Sequence, residues 1–307
     1  MKILITGGTG MLGSAFSSIK TDYELVLVGS ADYDLRWGSD CRCMIADHQP
    51  GAIIHLAAKV GGVKGNTDYV SDFFRENILI NTNLLDAAKN QNIKKVVSLL
   101  STCVYPDSAS YPLTPEQIHS GPPHYSNFGY AYSKRMLDIH SRAIRKQHGL
   151  NYITAIPNNL FGINDNFDST NGHVIPSIMR KILEGKLTNK EVVLWHPDTE
   201  REFTFANDIA DILLFLLEEY NSELPINIGQ TKEYKISDVT KFICKSLDYD
   251  YNKILWDTSM PKGQQRKPSC NKKFRSLYPG FEYTDLNTGI DKTCKWLIEN
   301  YPNVRGV

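Results

Sequence analysis

Lys2-Ile3-Leu4-Ile5-Thr6 reads as a strand buried on both faces, and it runs straight into Gly7-Gly8-Thr9-Gly10-Met11-Leu12-Gly13. Leu12, Ala15, Phe16 and Ile19 then recur at helical spacing. Strand, glycine turn and helix in immediate succession leave few folds open. Glycines allow a tight turn and close approach of the backbone to a pyrophosphate, and the helix start offers free N–H groups to the anion. The spacing Gly7-x-x-Gly10-x-x-Gly13 differs from the plain dinucleotide fingerprint, yet its place between strand and helix makes Gly7, Gly10, Met11, Leu12 and Gly13 candidate cofactor contacts.

The same rhythm continues. A second strand spans 23–28 and ends at Gly29-Ser30-Ala31, with no acidic residue at its tip to hold a free ribose 2′-hydroxyl. Small residues there leave room for a 2′-phosphate, with Ser30 and Arg36 as its partners; Asp32, close by, weighs the other way. These residues lean to NADP(H), a preference that rests in large part on family resemblance. A third strand, 52–58, ends in Leu56-Ala57-Ala58, small enough to lie against a dinucleotide, and His55 within it reads as a neutral core histidine bonded to backbone. A helix over 68–90 carries Asn77 and Asn81 on its apolar stripe, either pinning a loop or facing solvent. A strand over 95–101, a helix from Tyr130 to about His148 and a strand over 152–156 follow. Strands alternating with helices predict an α/β fold with a doubly wound parallel Rossmann-type sheet. Beyond about Asn166 the alternation loosens, giving a Rossmann domain over 1–165 and a smaller α/β substrate domain over 166–307, with a segment near 203–230 returning to the first. In the second part a helix is expected over 176–187, a strand over 192–195, an apolar helix over 208–220, and a helix opened by Ser237 as its cap.

Composition narrows the partners. Net charge is zero and no basic tract is present, so no nucleic-acid partner is expected. No apolar run approaches membrane-span length. Six scattered cysteines make neither a disulfide framework nor a zinc cluster, and no metal is expected. With a strand at the first residues rather than a leader, a cytoplasmic enzyme with reduced thiols is the expectation.

The reacting groups gather around Ser101 to Lys134. Ser101 stands at a strand end, where ligands sit in open α/β sheets. Tyr130 and Lys134 are one helical turn apart, so the ammonium can favour the phenolate. A hydride delivered at that edge needs a carbonyl held by Ser101 and an oxygen protonated by Tyr130. Cys103 is either a small buried filler or a base at the sheet edge. His173, in a polar turn before a helix, is either a capping side chain or an acid facing it. Reduction needs no such pair; proton abstraction beside a ketone does.

These motifs resemble the extended short-chain dehydrogenase/reductase family. The generic signs are Thr6-Gly7-Gly8-Thr9-Gly10-Met11-Leu12-Gly13 with Tyr130 and Lys134. Sharper ones are His55 to Gly62, Leu100 to Pro106, Asn158 to Gly162, Asn164 to Phe167 and His173 to Pro176. They are similar to the branch of NADPH-dependent 3,5-epimerase/4-reductases acting on a GDP-bound 4-ketosugar. The resemblance implies Ser101, Tyr130 and Lys134 as the reductase triad, Cys103 as epimerisation base and His173 as acid. It implies further cofactor contacts at Pro157, Asn159, Leu160, His173, Tyr130 and Lys134. It implies substrate contacts at Ser101, Thr102, Cys103, Asn159, Lys181, Trp195, Arg201 and Lys267, the last within the basic loop 263–268. It implies a homodimer through a four-helix bundle, the candidate helices being 68–90 and 130–148. Two departures from relatives border the pocket: His196-Pro197-Asp198-Thr199-Glu200 replaces a Gly-x-Gly loop, and Pro157-Asn158-Asn159 replaces Pro-Thr-Asn. Rival readings are a nucleotide-sugar 4-reductase or 4-epimerase without double epimerisation, and a non-catalytic dinucleotide-binding protein.

Overall fold

A computed structural model describes residues 1–169, 172–260 and 266–307, and of Val63 only the backbone. Asn171 of the turn before His173 and Gly263, Gln264 and Gln265 of the basic loop lie outside the described residues.

In chain order the first part runs β1 (Lys2–Thr6), α1 (Met11–Ala15), β2 (Glu24–Val28), α2 (Gly38–His48), β3 (Ala52–His55), α3 (Val63–Asp68), α4 (Val70–Asn90), β4 (Lys95–Leu99), α5 (Phe128–His148) and β5 (Asn151–Ile156). Then come β6 (Asn159–Phe161), α6 (Val174–Thr188), β7 (Val192–Trp195), β8 (Glu200–Phe205), α7 (Ala206–Glu219), β9 (Ile226–Asn227), β10 (Glu233–Lys235), α8 (Ile236–Ser246), β11 (Ile254–Asp257), α9 (Lys272–Leu277) and α10 (Leu286–Asn300).

Six strands form one sheet in the order β2-β1-β3-β4-β5-β9, every neighbouring pair parallel. Successive strand residues face opposite sides. Leu4, Ile53 and Val96 therefore join the core under α2, α4 and α5, while Ile3, Ile5, Ile54 and Val97 join the core under α1 and α7. Strand order reverses at β1, with β2 on one side and β3 on the other, the place where open parallel sheets bind ligands.

A second apolar core collects Phe161, Phe167, Met179, Phe203, Val239 and Ile290, among others, beneath the sheets β10-β8-β6 and β11-β7. The two cores are tied together by Asn158. Its side-chain nitrogen donates to the Gln230 carbonyl (2.6 Å) and its oxygen accepts from Thr204 Oγ1 (2.7 Å). Helix α8 starts one residue earlier than its expected cap: Lys235 precedes it, and Ser237 instead donates its backbone N–H to the Pro197 carbonyl. No described helix is long and apolar enough to cross a membrane.

A cavity at the carboxyl edge of the sheet

The carboxyl ends of β1, β3, β4 and β5 open into one cavity of about 1460 Å³. Its floor is the glycine turn. Gly7 has φ +73°, and a Cβ there would stand 2.9 Å from Ala57 N; a Cβ on Gly13 would stand 2.2 Å from Gly7 O. Side chains are excluded at both, which leaves the turn as a bare backbone cradle that fits a pyrophosphate.

The turn and β3 are locked by a buried relay. Thr6 Oγ1 accepts from Ala57 N (3.3 Å) and meets His55 Nδ1 at 2.8 Å; His55 Nε2 meets Asn81 Oδ1 at 3.0 Å. Because the Asn81 oxygen only accepts, Nε2 carries the proton and Nδ1 accepts from Thr6. Burial, with the Lys134 charge adding to it, pushes the His55 pKa down to about 3, so it is the neutral core histidine the sequence suggests, bonded to side chains rather than backbone. Asn77 and Asn81 of α4 are both buried. Asn77 brackets the loop after β3 by accepting from Lys59 N (3.0 Å) and donating to Lys59 O (3.0 Å).

At the adenosine end, Asp32 turns away from the cavity role feared for it: its carboxylate accepts from Gly29 N (2.8 Å) and does not line the cavity. Ser30 and Arg36 do line it. Arg36 is forked onto Asp34 (2.9 and 2.7 Å) and reaches Glu76 (3.3 Å), so a phosphate there must exchange with a carboxylate.

At the end of β4, Ser101 begins a short turn, its Oγ accepting from Cys103 N at 3.4 Å. Tyr130 faces the cavity from the first turn of α5, edge-on to Phe73. Lys134 is buried beneath it. Its Nζ lies 5.8 Å from the Tyr130 ring centre, donates to the Leu99 carbonyl (2.8 Å) and is not on the cavity wall. Burial lowers its pKa to about 8. The expected depression of the Tyr130 pKa is absent: burial pushes the phenol up. Desolvation governs the phenol, and Tyr130 is a protonated donor.

Cys103 lines the same wall. Burial raises its pKa against the opposing charge of Lys267 and hydrogen bonding to Ser101, so the resting group is a thiol, not the thiolate a base requires. Lys267 is itself lowered to about 8 by burial. His173, at the start of α6, lines the same cavity and is exposed there. Burial and the Arg305 charge lower its pKa. Thiol and neutral imidazole together hold the same single proton as thiolate and imidazolium.

The remaining candidates, Gly10, Met11, Leu12, Leu56, Ala57, Ala58, Thr102, Pro157, Asn159, Leu160, Lys181, Trp195 and Arg201, also line this cavity; Lys134 alone does not. Lys181 Nζ sits 5.2 Å from the Trp195 ring, and Asn159 Nδ2 donates to the Glu202 carbonyl (2.8 Å). In the loop that departs from relatives, His196 takes φ +47°, a backbone that favours glycine, and its Nε2 meets Met260 O at 2.6 Å. Asp165 and Arg305 were missed as site residues. Asp165 is buried on the wall with Oδ2 unpartnered, and burial raises it to about 7. Its sequence signal was the Asn164 to Phe167 motif; Arg305 had none.

A nucleotide-binding sheet edge joined to a second unit that adds Lys181, Arg201 and Lys267 to the cavity wall defines a dinucleotide-dependent enzyme of nucleotide-bound substrates. Residues 3–229 match the NAD dependent epimerase/dehydratase family, and the chain belongs to it. It is 37% identical to a GDP-L-fucose synthase of Dictyostelium discoideum over 99% of this chain and 97% of that protein. It is 36% identical to a probable GDP-L-fucose synthase of Drosophila melanogaster, over 99% of both. A crystal structure of a GDP-L-fucose synthetase from Naegleria fowleri bound to NADP superposes with a TM-score of 0.93 at 37% identity, covering 99% of this chain and 94% of that one.

Proposed function

We propose that the chain converts GDP-4-keto-6-deoxy-D-mannose to GDP-L-fucose, inverting C3 and C5 and reducing C4 with NADPH. The observation that carries this reading is that Cys103 and His173 line the same cavity as Ser101 and Tyr130, beside a glycine cradle shaped for a dinucleotide. NADPH, when bound, supplies the hydride for C4. The chain's own residues do the rest. Gly7, Gly10 and Gly13 bring bare backbone to the diphosphate, and Ser30 with Arg36 receives the 2′-phosphate.

The ketone acidifies the hydrogens at C3 and C5. Cys103 removes each in turn, Ser101 and Tyr130 hold the enolate oxygen, and His173 returns a proton to the opposite face. Moving the pair's single proton from thiol to imidazole creates base and acid together, and the neighbouring ammonium of Lys267 favours the thiolate side. Tyr130, kept protonated, then protonates the C4 oxygen, and Lys134 favours the phenolate left behind. Lys181, Trp195, Arg201 and Lys267 receive the GDP portion.

This reading includes a homodimer through α4 and α5. It is supported by Phe128, Tyr132, Met136 and Ile139, which recur along α5 at helical spacing yet remain exposed, with Phe74 exposed on α4. It also includes a cytoplasmic setting and a division into cofactor and substrate domains at about residue 165, with 203–230 returning. The pairing of β9 with β5 and the packing of α7 on the main sheet support that return.

The test is turnover of GDP-4-keto-6-deoxy-D-mannose with NADPH in D₂O. Deuterium at both C3 and C5 of a C4-reduced product is expected. Reduction without label at those carbons leaves a plain 4-reductase, and bound NADPH without turnover leaves a binding protein.

A further inference from the structure

After α10 the chain lays Arg305 and Gly306 against the loop 165–168. Phe167 N donates to Arg305 O (2.8 Å), and Arg180 donates to both Gly306 O and Phe167 O. Gly306 has φ +89°, and a Cβ there would stand 2.2 Å from Asn166 Oδ1. Docking therefore runs through backbone and leaves the Arg305 side chain uncommitted. It is exposed, lies on the cavity wall, and hydrogen-bonds to no described residue. Asn164, one residue before that loop, donates its Nδ2 to Thr9 O of the glycine turn (3.3 Å).

That turn has an electrostatic gap. Residues 7–13 include no cation, and α1 behind them is only 5 residues long. Further along the cofactor side each cation already has a carboxylate: Arg36 has Asp34 and Glu76, Lys59 has Glu76, and Lys64 has Asp68. A diphosphate on the turn would meet N–H groups but no free positive charge from that side.

We propose that Arg305 supplies the cation for the diphosphate held at the glycine turn, so that the segment after α10 completes the cofactor site. This deepens the functional reading above and rests on its placement of NADPH. The field of Arg305 is felt in the cavity, where it lowers the pKa of both His173 and Asp165. The shared chemistry is a diphosphate, and the nucleotide sugar carries one too; the experiment separates them.

Arg305→Gln keeps the backbone docking and removes the charge, while Arg305→Lys keeps the charge. NADPH affinity is read by nicotinamide fluorescence and GDP affinity by calorimetry, with NADPH titrated at two salt concentrations. A charge-assisted bond corresponds to about a 10–100-fold loss of NADPH affinity in Arg305→Gln, with a weaker salt dependence. GDP affinity should stay within about twofold, and Arg305→Lys should recover most of the NADPH loss. Unchanged NADPH affinity in Arg305→Gln, or loss confined to GDP, overturns the assignment while leaving the functional reading intact. Failure of the unaltered protein to bind NADPH overturns the placement of the cofactor, and this assignment with it.

Discussion

The two walls of the cavity are built differently. On the sheet side, Cys103 and Lys134 are buried, Tyr130 is half-buried, and the strands beneath are pinned by the Thr6–His55–Asn81 relay. On the other side, His173, Trp195 and Arg305 are exposed to the cavity, standing at the edges of elements from the second core or on the segment after α10. On the first wall Lys134 is held by its hydrogen bond to the Leu99 carbonyl, and burial sets the protonation of Lys134, Tyr130 and Cys103 before any ligand arrives. Groups on the second wall have room to adjust, and a ligand completes their surroundings. In the proposed reaction the first wall is preorganised for chemistry and the second, His173 apart, serves recognition.

Single changes on the first wall should therefore strike the chemical steps. Tyr130→Phe should lower kcat by about 10²–10⁴-fold with little change in KM, because the lost proton donor acts only as charge develops on oxygen. Cys103→Ser should slow deuterium entry at C3 and C5 by a comparable factor, since an alcohol is a far weaker acid than a thiol. Label entering both carbons at the unaltered rate would remove Cys103 as the base. Further from the reacting atoms, Asn81→Ala leaves the His55 Nε2 proton buried without an acceptor. It should cost roughly 1–3 kcal/mol in denaturant unfolding, and unaltered stability would break the claim that this wall is held by its relay.

The same asymmetry explains what the sequence disclosed. The first wall is made of contiguous pieces, so the glycine turn, the Ser101 strand end and the Tyr130–Lys134 helical turn could each be read locally, and their order fixed the sheet. What stayed hidden there was the balance of energies. Lys134 one turn from Tyr130 suggests a lowered phenol pKa, but burial dominates and raises it. Asn77 and Asn81 looked as much like solvent-facing breaks as like buried anchors, because their partners lie 18 and 26 residues away in the chain. The second wall is assembled from distant segments. Lys181, Trp195, Arg201 and Lys267 were legible only through family resemblance, and Arg305 has no local pattern around it at all.

Trp195 tests the recognition side. Trp195→Ala removes an exposed ring that carries Lys181 above it, and should raise the KM for the nucleotide sugar by about tenfold while leaving kcat nearly unchanged. A fall in kcat alone would mean that Trp195, and not His173 alone, takes part in the chemistry from this wall, and that the division between walls is drawn in the wrong place.

Asp165 lies where the two walls meet, and its titration tests that join through stability rather than turnover. Burial raises its carboxyl to about 7 from 3.8, opposed by the hydrogen bond from Asn166 N (2.7 Å) and by the Arg305 charge. Between those two values the native state holds more protons than the unfolded chain. Its stability must therefore fall as pH rises through that window, with a slope from this group of at most about 1.4 kcal/mol per pH unit. Asp165→Asn, which cannot ionise, should flatten that part of the curve when denaturant midpoints are compared at pH 5 and pH 8. An identical pH dependence in both proteins would mean that Asp165 is already ionised at pH 5. The join between the walls would then be an ion pair with Arg305, and the cation assigned to the diphosphate would have a carboxylate to compete with.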